Sequence, residues 1–583
     1  MELPQDVARC ALASERVFGR FPFVRADRQV DSDMDGSVVM PPCEAVDGIY
    51  WSRGVQLKKQ RIGAVPLSLA PLVVVPALVV FPLAGYAQTQ NTTTNYAYDA
   101  QGNLTTITNP NSQVTTQAFD ALNRKVTVTQ PIPASGGTAP VITTAYDGRD
   151  QVVSVQDPRS LSTSYQIDGL GNLLTLTSPD TGVTTKTYDV AGNLLTSKDA
   201  RNKTTTFTYD VLNRVTSISY PTGTGTNFSY DALPNTAPSA CSAGSYPVGH
   251  LLLITDESGA TCYQYDAFGH VTNKTQVSGS GSSALTQVVQ YGFGTSGNTN
   301  GKLVNLVYPT GQSVAYTYDS AGRTSSITVT PSGGSATTLL SNVTYQPFGA
   351  PNGWTWGNGT TYTRTYDLDG RLTSFPLGAT SGSLITPGSL TRTVDYDPAS
   401  RISAYVHADS SGSTTSSTAI AANQSFYYDN LDRLTSFYPA GADQVYTYDN
   451  TGNRTGITIG SNGYTYTIDP VSNKLTSTTG PIAKGNLYDA GGNLTTDGAN
   501  TYGYSDRGRR NSATVSSGAY TYLYNALGQR IVKTGPTATL PTGSNRYVYD
   551  EARHLLGEYD ASGNPIQETI YLNDTPVTVL MGQ

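Results

Sequence analysis

A short motif, Tyr-Asp-x-x-Gly-Asn/Arg-Leu, returns along nearly the whole chain. It stands complete at residues 98–104 and 188–194. Its Tyr-Asp pair recurs at Tyr209, Tyr265, Tyr318, Tyr366, Tyr448 and Tyr488. Five motif aspartates follow one another every 21 residues, at Asp147, Asp168, Asp189, Asp210 and Asp231, and four others every 20 residues, at Asp429, Asp449, Asp469 and Asp489. This regular period predicts one supersecondary element stacked on copies of itself, which builds an extended scaffold.

Each unit has the pattern of a β-hairpin. The run before the aspartate is rich in Thr and Tyr, and its aromatic residues stand two apart, as do Tyr316 and Tyr318. Residues two apart share one face of a strand, so the tyrosines are expected to line one side. Thr, Tyr and Val suit a pleated surface. The fold class predicted is all-β, made of repetitive antiparallel hairpins.

The turn of each hairpin is predicted from its own chemistry. The aspartate is expected to accept hydrogen bonds from the backbone two residues on, and the third residue after it to take a positive φ, as in a type I turn closed by a G1 bulge. Gly, Asn or Asp at that position fits this expectation. The predicted structural turn pairs are Asp99 and Gly102, Asp189 and Gly192, Asp210 and Asn213, Asp266 and Gly269, Asp319 and Gly322, Asp367 and Gly370, Asp449 and Gly452, and Asp489 and Gly492. Further fits are Asn123, Asp150, Gly171, Asp432 and Asn473, and irregular turns are expected at Pro234, Ser400 and Arg553.

The apolar residues after the turn have an unexpected spacing. Leu104 and Ile107 are three apart, which would put them on opposite faces of a regular strand. Either both faces are partly covered, or a bulge brings the two side chains onto one face.

The repeats resemble the bacterial Rhs/YD-repeat proteins, which are related to the YD shell of teneurins. The resemblance covers residues 91–580 and is most specific in residues 546–564 and 568–577, which are similar to the start of the Rhs-associated core region. It implies a hollow shell of spiralling antiparallel β-sheet that encloses a C-terminal toxin domain or another passenger. The long intervals between some motifs, as from Asp266 to Asp319, are interpreted as insertions or decayed copies.

Two family features are missing from the sequence. The self-cleavage motif of the type Asp-Pro-x-Gly-Leu is not found, since residues 157–161 read Asp-Pro-Arg-Ser-Leu, and residues 1–583 reach the core region but not the family's variable toxin domain. The expectation is a shell cut short within the core region. The predicted divisions are a non-repeat extension at 1–54, a signal peptide or membrane anchor at 55–87, repeats at 88–540 and the incomplete core region at 541–583.

The N-terminal segment predicts export. Lys58, Lys59 and Arg61 precede an apolar run at 62–87 that ends in small residues. This order is typical of a secretory signal peptide, and the run is also long enough to serve as an anchor. The 54 residues before Val55 favour an over-extended gene start. The chain is expected to be secreted or held at the cell surface in a bacterial envelope, with membrane contact only through 62–87.

Charge and cysteine content narrow the function classes. The net charge is −7, whereas a general nucleic-acid binder needs a basic patch. The basic cluster of Arg507, Arg509 and Arg510 is interpreted as a solvated turn. Cys241 and Cys262 are the pair available in the repeats for a disulfide that would close a 21-residue loop; the alternative is two unpaired thiols. The four histidines are scattered and no Cys-x-x-Cys occurs, so no metal or cofactor is expected.

Catalysis is not expected either. Nearly all aspartates sit in the turn position, no Gly-x-Ser-x-Gly elbow occurs, and no phosphate-binding Gly-x-x-x-x-Gly-Lys-Ser/Thr occurs. Trp354 and Trp356 are expected on one strand face, buried in the sheet interior. The leading hypothesis is a non-enzymatic exported shell for a toxin passenger or delivery machinery. The alternative is an adhesin that binds glycans or neighbouring cells.

Overall fold

A computed structural model describes residues 92–581 except 135–136, 280, 282–283, 348, 382–383 and 440. The N-terminal extension and the apolar segment 62–87 lie outside the described residues. The residues from Thr93 onward form one compact unit.

The unit begins with 23 strands that follow chain order, each antiparallel to the next. They are β1 (Asn95–Tyr98), β2 (Leu104–Thr108), β3 (Val114–Phe119), β4 (Lys125–Thr129), β5 (Val141–Tyr146), β6 (Val152–Gln156), β7 (Ser162–Ile167), β8 (Leu173–Ser178), β9 (Gly182–Tyr188), β10 (Leu194–Lys198), β11 (Thr204–Tyr209), β12 (Val215–Ser219), β13 (Thr226–Tyr230), β14 (Leu251–Asp256), β15 (Gly259–Tyr265), β16 (Val271–Ser278), β17 (Leu285–Phe293), β18 (Leu303–Val307), β19 (Ser313–Tyr318), β20 (Thr324–Thr330), β21 (Thr337–Tyr345), β22 (Pro351–Trp356) and β23 (Thr361–Thr363).

Two further groups, of 11 and 10 strands, continue the same meander. The first contains β24 (Thr365–Tyr366), β25 (Leu372–Ser381), β26 (Leu384–Tyr396), β27 (Ile402–Asp409), β28 (Gln424–Tyr428), β29 (Leu434–Tyr438), β30 (Gln444–Tyr448), β31 (Arg454–Ile459), β32 (Asn462–Ile468), β33 (Leu475–Thr479) and β34 (Lys484–Gly485). The second contains β35 (Leu487–Tyr488), β36 (Leu494–Thr496), β37 (Thr501–Tyr504), β38 (Arg510–Val515), β39 (Gly518–Tyr524), β40 (Arg530–Thr534), β41 (Ser544–Tyr549), β42 (Leu555–Tyr559), β43 (Pro565–Leu572) and β44 (Thr575–Met581). A short helix, α1 (Ser417–Ala422), interrupts the β27–β28 connection, and a 3₁₀ turn spans Gly297–Thr299.

The breaks between the three groups are local. Arg364 separates β23 from β24, and its backbone N–H still donates to the Asn352 carbonyl at 2.7 Å. Asn486 separates β34 from β35 and donates in the same way to Thr476 at 2.8 Å. The backbone ladder therefore continues through both breaks, as one ribbon of consecutive hairpins.

The two faces of this ribbon differ in composition. In β7, Thr163, Tyr165 and Ile167 are half-buried, whereas Ser162 and Ser164 between them are exposed. The same alternation recurs in β3, β5, β9 and β11. We call the side that carries the motif tyrosines the tyrosine face and the other the threonine face.

A bulge explains the three-residue spacing after the turn. Tyr98 pairs with Leu104 and Tyr96 pairs with Ile107, because Thr105 is an extra residue between the paired positions. Leu104 and Ile107 therefore both lie on the tyrosine face. The same shift recurs in later hairpins, such as β9–β10 and β30–β31, so the second of the two explanations holds.

The ribbon coils back beside itself. The hairpins have a motif edge, where turns follow the motif tyrosines, and an opposite edge, where the intervening turns lie. Hydrogen bonds join residues 111–312 to residues 397–569, between partners 256 to 317 positions apart. The earlier strands thus form a first circuit and the later strands a second, and the structure is a spiralling β-shell.

The main hydrophobic core lies where the end of the chain meets the first circuit. Val548, Ile570 and Leu572 pack against Val314 and Ile327. By strand alternation, Val548 and Ile570 face away from the neighbouring tyrosines Tyr549 and Tyr571. Strands β41–β44 therefore lie against the tyrosine face of β17–β22, which makes the tyrosine face the inner face of the spiral.

Candidate functional site: the seam and the tyrosine face

The aspartate of each motif organises its own turn. In the turn at Asp189, the Oδ1 atom accepts from the backbone N–H of Ala191 at 2.9 Å and of Asn193 at 2.8 Å, and Oδ2 accepts from the Asn193 side chain at 2.9 Å. Gly192, with φ 85°, donates its N–H to the Asp189 carbonyl. The Asn193 side chain, followed by the backbone donors, holds the pKa of Asp189 below its ordinary value.

The predicted turn positions adopt this geometry almost throughout. Positive φ is found at Gly102, Asn123, Asp150, Gly171, Gly192, Asn213, Gly269, Gly322, Gly370, Asp432, Gly452 and Gly492. The paired aspartates accept the predicted backbone hydrogen bonds at Asp99, Asp189, Asp210, Asp266, Asp367, Asp449 and Asp489, and Asp319 accepts from the N–H of Arg323.

Three turn predictions were wrong. Asn473 lacks a positive φ, because this turn contains one extra residue and closes from Asp469 N–H to the Lys474 carbonyl. Ser400 and Arg553 were expected in irregular turns, yet they have φ of 66° and 72° and close the standard hydrogen-bonded ring. The paired strands on either side of each turn impose the left-handed backbone conformation on Ser400 and Arg553.

The prediction of irregularity at Pro234 was right. The residues 232–249 form an insertion here, and Asp231 donates its N–H to the carbonyl of His250 instead of to a near neighbour. His250 stacks on Tyr265 at 4.2 Å, as His270 stacks on Phe293 and His554 on Tyr571 after regular turns.

The motif tyrosine ties each hairpin to the one before it. The Tyr188 hydroxyl donates to the Leu173 carbonyl at 3.0 Å, and the Tyr209 hydroxyl donates to the Leu194 carbonyl at 2.9 Å. The same bond recurs at Tyr318, Tyr448 and Tyr571. The tyrosine is thus retained for its hydroxyl as well as for its ring.

The residue four positions after the aspartate ties each hairpin to the next, and the sequence reading missed this role. Arg214 donates to Asp210 and to Asp231, both at 2.6 Å, and its guanidinium lies 4.4 Å from the centre of the Tyr230 ring. Where asparagine replaces arginine, Asn193 donates to Asn213 at 2.9 Å. The Asn/Arg alternative in the motif was the available signal, since both side chains donate hydrogen bonds.

The seam joins the opposite edge of the first circuit to the motif edge of the second. Arg159 donates to the carbonyls of Asp469 at 2.7 Å and Ser472 at 2.8 Å. Arg201 donates in the same way to Ser505 and Asp506, both at 2.9 Å. The Asp506 carboxylate accepts a hydrogen bond from the backbone N–H of Thr222 and forms an ion pair with Lys203 at 2.8 Å. Long-range contacts of these side chains, rather than the hydrogen bonds within each repeat, therefore close the wall.

Arg507 belongs to this seam, so its interpretation as part of a solvated turn was wrong. Its guanidinium is largely buried, donates to the carbonyls of Tyr524 and Asn525, and lies 3.9 Å from Glu257. Arg510 of the same cluster is exposed. The reason for the error is that the partners of Arg507 come from the first circuit and from the neighbouring hairpin.

Buried carboxylates mark the later part of the seam. Asp256 accepts from the N–H of Ala526 at 2.6 Å, and Glu257 accepts from that of Tyr524 at 3.2 Å. Glu568, only 3% exposed, receives the Tyr559 hydroxyl at 2.7 Å and the Thr310 hydroxyl at 3.0 Å. Burial raises the pKa of all three carboxyl groups. A cavity of about 350 Å³ adjoins Glu568, lined by Thr310, Gln312, Ser332, Pro565, Leu580 and Met581.

The two tryptophans lie in the main core. Trp354 is 5% exposed and stacks on Tyr362 at 4.3 Å, with the edge of Trp356 at 5.6 Å. Both lie on one strand face, as predicted; the predicted burial is confirmed for Trp354, whereas Trp356 is partly buried.

Cys241 and Cys262 form a disulfide, with their Cα atoms 5.7 Å apart. It fastens the insertion 232–249 over Leu253 and Ala260, on the threonine face of β14 and β15. Within the described part of the chain, no group of three or more His, Cys, Asp and Glu residues is placed to hold a metal ion. No helix among those residues has the length and apolarity needed to cross a bilayer.

Comparison with known proteins agrees with this architecture. The RHS repeat family matches residues 91–131, 146–183, 188–224 and 297–335. The crystal structure of TcdB2-TccC3 matches with a TM-score of 0.60 at 15% identity, over 84% of this chain and 31% of that one. The four matched segments are RHS repeats, and the chain shares the fold of TcdB2-TccC3.

Two other structures of the same fold give similar values. TcdB2-TccC3 without its hypervariable C-terminal region has a TM-score of 0.61 at 15% identity, and the Photorhabdus luminescens Tc holotoxin pore has 0.60 at 14%. Each match covers 84% of this Rhs-repeat chain, which spans about 30% of the length of those structures. No curated protein sequence matches it.

A glycine substitution tests the turn geometry of the Rhs repeat. Gly192→Ala is expected to cost about 1–2 kcal/mol, because its φ of 85° disfavours a Cβ. Gly148→Ala is the control, since Gly148 stands in a neighbouring turn without a positive φ and with open space around it. Hydrogen exchange of β9 and β10 should show faster opening for Gly192→Ala only. Equal protection in both variants would contradict the assigned turn.

Removal of the disulfide tests the role of the insertion. The double change Cys241→Ser and Cys262→Ser is expected to lower the free energy of unfolding by about 3 kcal/mol, from the entropy of a 21-residue loop. Limited proteolysis should then cut within 232–249. A reducing agent should have the same effect on the unmodified chain and none on the double variant; resistance of the reduced chain to cleavage would argue against a stapled loop.

Proposed function

We propose that this chain is a wall of a β-shell that encloses a polypeptide passenger and has no catalytic role of its own. The main observation behind the proposal is that the sheet formed by β1–β12 is a single layer. No residue of β1–β12 is buried, although half-buried and exposed residues alternate along β3, β5, β7 and β9. An ordinary sheet buries one face against a second layer. A half-shielded inner face without that layer fits a wall around a lumen.

The seam supports the same proposal. A shell isolates its contents only when neighbouring circuits are sealed, and Arg159, Arg201 and Lys203 seal them by contacts to the next circuit. The solved structures that share the fold are Tc toxin components, one of which was determined without a hypervariable C-terminal region. A passenger of toxin type is therefore the occupant that we propose.

Export of the shell is part of the proposal. Its basis is the order of a positive flank, an apolar run and small residues at 58–87. Delivery outside the producing cell would give a reason for a wall that keeps its passenger apart from that cell.

Protease protection tests the proposed function. An unstructured reporter segment is fused after Gln583, and the fusion is treated with a nonspecific protease. The reporter is expected to survive in the unmodified chain and to be degraded in an Arg159→Ala, Arg201→Ala variant, whose seam lacks the donors to the second circuit. Circular dichroism checks that the variant keeps its β-structure. Equal degradation in both proteins would refute the shell function.

A further inference from the structure

The charges of the shell are separated by position. Acidic residues stand mainly in the turns, and the described strands from Asn95 to Thr534 carry three of them, Asp256, Asp395 and Asp409. Asp395 pairs with Ala404 on the threonine face. Asp409 ends its strand and caps its own turn, and Asp256 is bound to Ala526 in the seam. The open part of the tyrosine face thus carries no strand carboxylate in this region.

Basic residues do occur on that face. Each pairs with an aromatic residue of the tyrosine face in the neighbouring strand or stands two residues from one along the chain. They are Lys125, Lys186, Arg364, Arg392, Arg454, Arg510, Arg530 and Lys533. Between Asn95 and Thr534 the strand charges of this face are therefore cationic, in a chain whose net charge is −7. Beyond Thr534, Glu558 lies on the same face opposite Tyr547.

Three of these arginines occupy a position that most repeats fill with leucine, valine or isoleucine. Arg454 pairs with Tyr448, Arg510 with Tyr504 and Arg530 with Tyr524, as Leu194 pairs with Tyr188. A half-buried apolar side chain is the ordinary choice here, so the guanidinium groups need another explanation.

The same arginines are held by rings instead of by carboxylates. The distances from guanidinium carbon to ring centre are 4.9 Å for Arg454 over Tyr466, 5.3 Å for Arg510 over Tyr502 and 4.5 Å for Arg530 over Tyr547. None of the three forms an ion pair with a carboxylate that the structure describes. The Nε atom of Arg530 is shielded and has no hydrogen-bond partner in that part of the chain.

A guanidinium stacked on a tyrosine keeps its charge and its planar set of donors. Such a group is weakly hydrated and matches a carboxylate with two parallel hydrogen bonds. We infer that the tyrosine face around Arg454, Arg510 and Arg530 binds acidic stretches of the enclosed polypeptide. The inference rests on the proposed function and names the chemistry of the passenger.

The spacing of the cations favours a polypeptide over a nucleic acid. Arg454 is on β31 and Arg510 is on β38, seven strand steps apart, which is roughly 34 Å at 4.8 Å per step. A phosphate backbone carries a charge at every nucleotide and needs a continuous basic track. Isolated guanidinium groups among tyrosines suit an extended chain with scattered Glu, Asp and apolar residues.

Matched fusions test the inference. Two reporters are fused after Gln583, one rich in glutamate and one with glutamine at every glutamate position. The acidic fusion is expected to unfold about 2 °C higher than the neutral one at low salt, because a ligand of the folded state stabilises it. The difference should vanish in high salt and in the Arg454→Gln, Arg510→Gln, Arg530→Gln variant.

The control variant removes the same charge elsewhere. Arg149, Lys198 and Arg553 are exposed and away from the tyrosine face, so their change to glutamine should leave the difference intact. Equal unfolding temperatures of the two fusions, or a difference that survives loss of the three inner arginines, would overturn the inference. A larger rise from a thymidine oligonucleotide than from the acidic reporter would also overturn it, in favour of nucleic acid. Protease protection of both fusions without a temperature difference refutes this inference alone, whereas degradation of both refutes the shell function.

Discussion

Ile570→Ala is expected to lower the free energy of unfolding by about 2–5 kcal/mol, through lost burial and the cavity left behind. Ile570 is fully buried between the last strands and the tyrosine face of the first circuit, in the cluster that contains Trp354. Tryptophan fluorescence during urea unfolding measures the change in the region concerned.

Val190→Ala is the control for this change. Val190 is fully exposed at the tip of a turn, so its truncation should stay within about 0.5 kcal/mol of the unmodified chain. A cost below about 1 kcal/mol for Ile570→Ala would mean that the end of the chain does not dock on the first circuit as described.

Glu568 is expected to make the stability of the seam fall with rising pH. Burial raises the pKa of this carboxyl above its usual 4.5 in the folded state. Its contribution is therefore fully present below the unfolded value and is lost as the pH rises through the raised folded value. Glu568→Gln removes this titration, so its stability relative to the unmodified chain should increase from pH 4.5 upward.

Glu568→Ala separates the hydrogen bonds from the charge. It leaves the buried Tyr559 hydroxyl without its acceptor, which should cost about 1–3 kcal/mol at pH 4, below the usual pKa of the carboxyl. Urea midpoints between pH 4 and pH 8 measure both variants. A constant difference between Glu568→Gln and the unmodified chain would show that Glu568 does not titrate in this range.

The turn aspartates change the stability with pH in the sense opposite to that of Glu568. Hydrogen bonds hold the pKa of Asp99, Asp168 and Asp189 below the ordinary value of 3.8. Their contribution is present above the unfolded value and is lost as the pH falls through the lower folded value. Acid should therefore loosen the hairpins under conditions in which the Glu568 carboxyl is neutral.

The hairpins and their turns could be predicted because the chemistry is local. Asp189 and the N–H groups that donate to it are within four residues, and a positive φ at Gly192 follows from the turn type. Ser400 and Arg553 escaped the same reasoning because the paired strands, not their own preferences, determine their conformation.

The seam could not be predicted because its partners are distant in the sequence. Arg159 reaches residues 310 to 314 positions away, and nothing in its own motif distinguishes it from a surface arginine. The docking of Ile570 on the tyrosine face depends in the same way on where a whole circuit returns. The inner arginines can be read from the sequence. Their position on the tyrosine face, on which the inference about them depends, could be assigned only from the strand pairing.

The seam also limits how such a chain can change in length. In an open solenoid a repeat can be added anywhere, because each unit touches only its neighbours. Here one added hairpin in the first circuit would displace Arg159 and Arg201 from their partners by two strand steps, about 10 Å. The number of strands in each circuit must therefore stay the same for the seam residues to remain opposite their partners. The insertions at 232–249 and 410–423 leave the ladder at a turn and return to it, so they add length without changing the count. Growth of this wall is therefore expected at its turns, or by whole circuits.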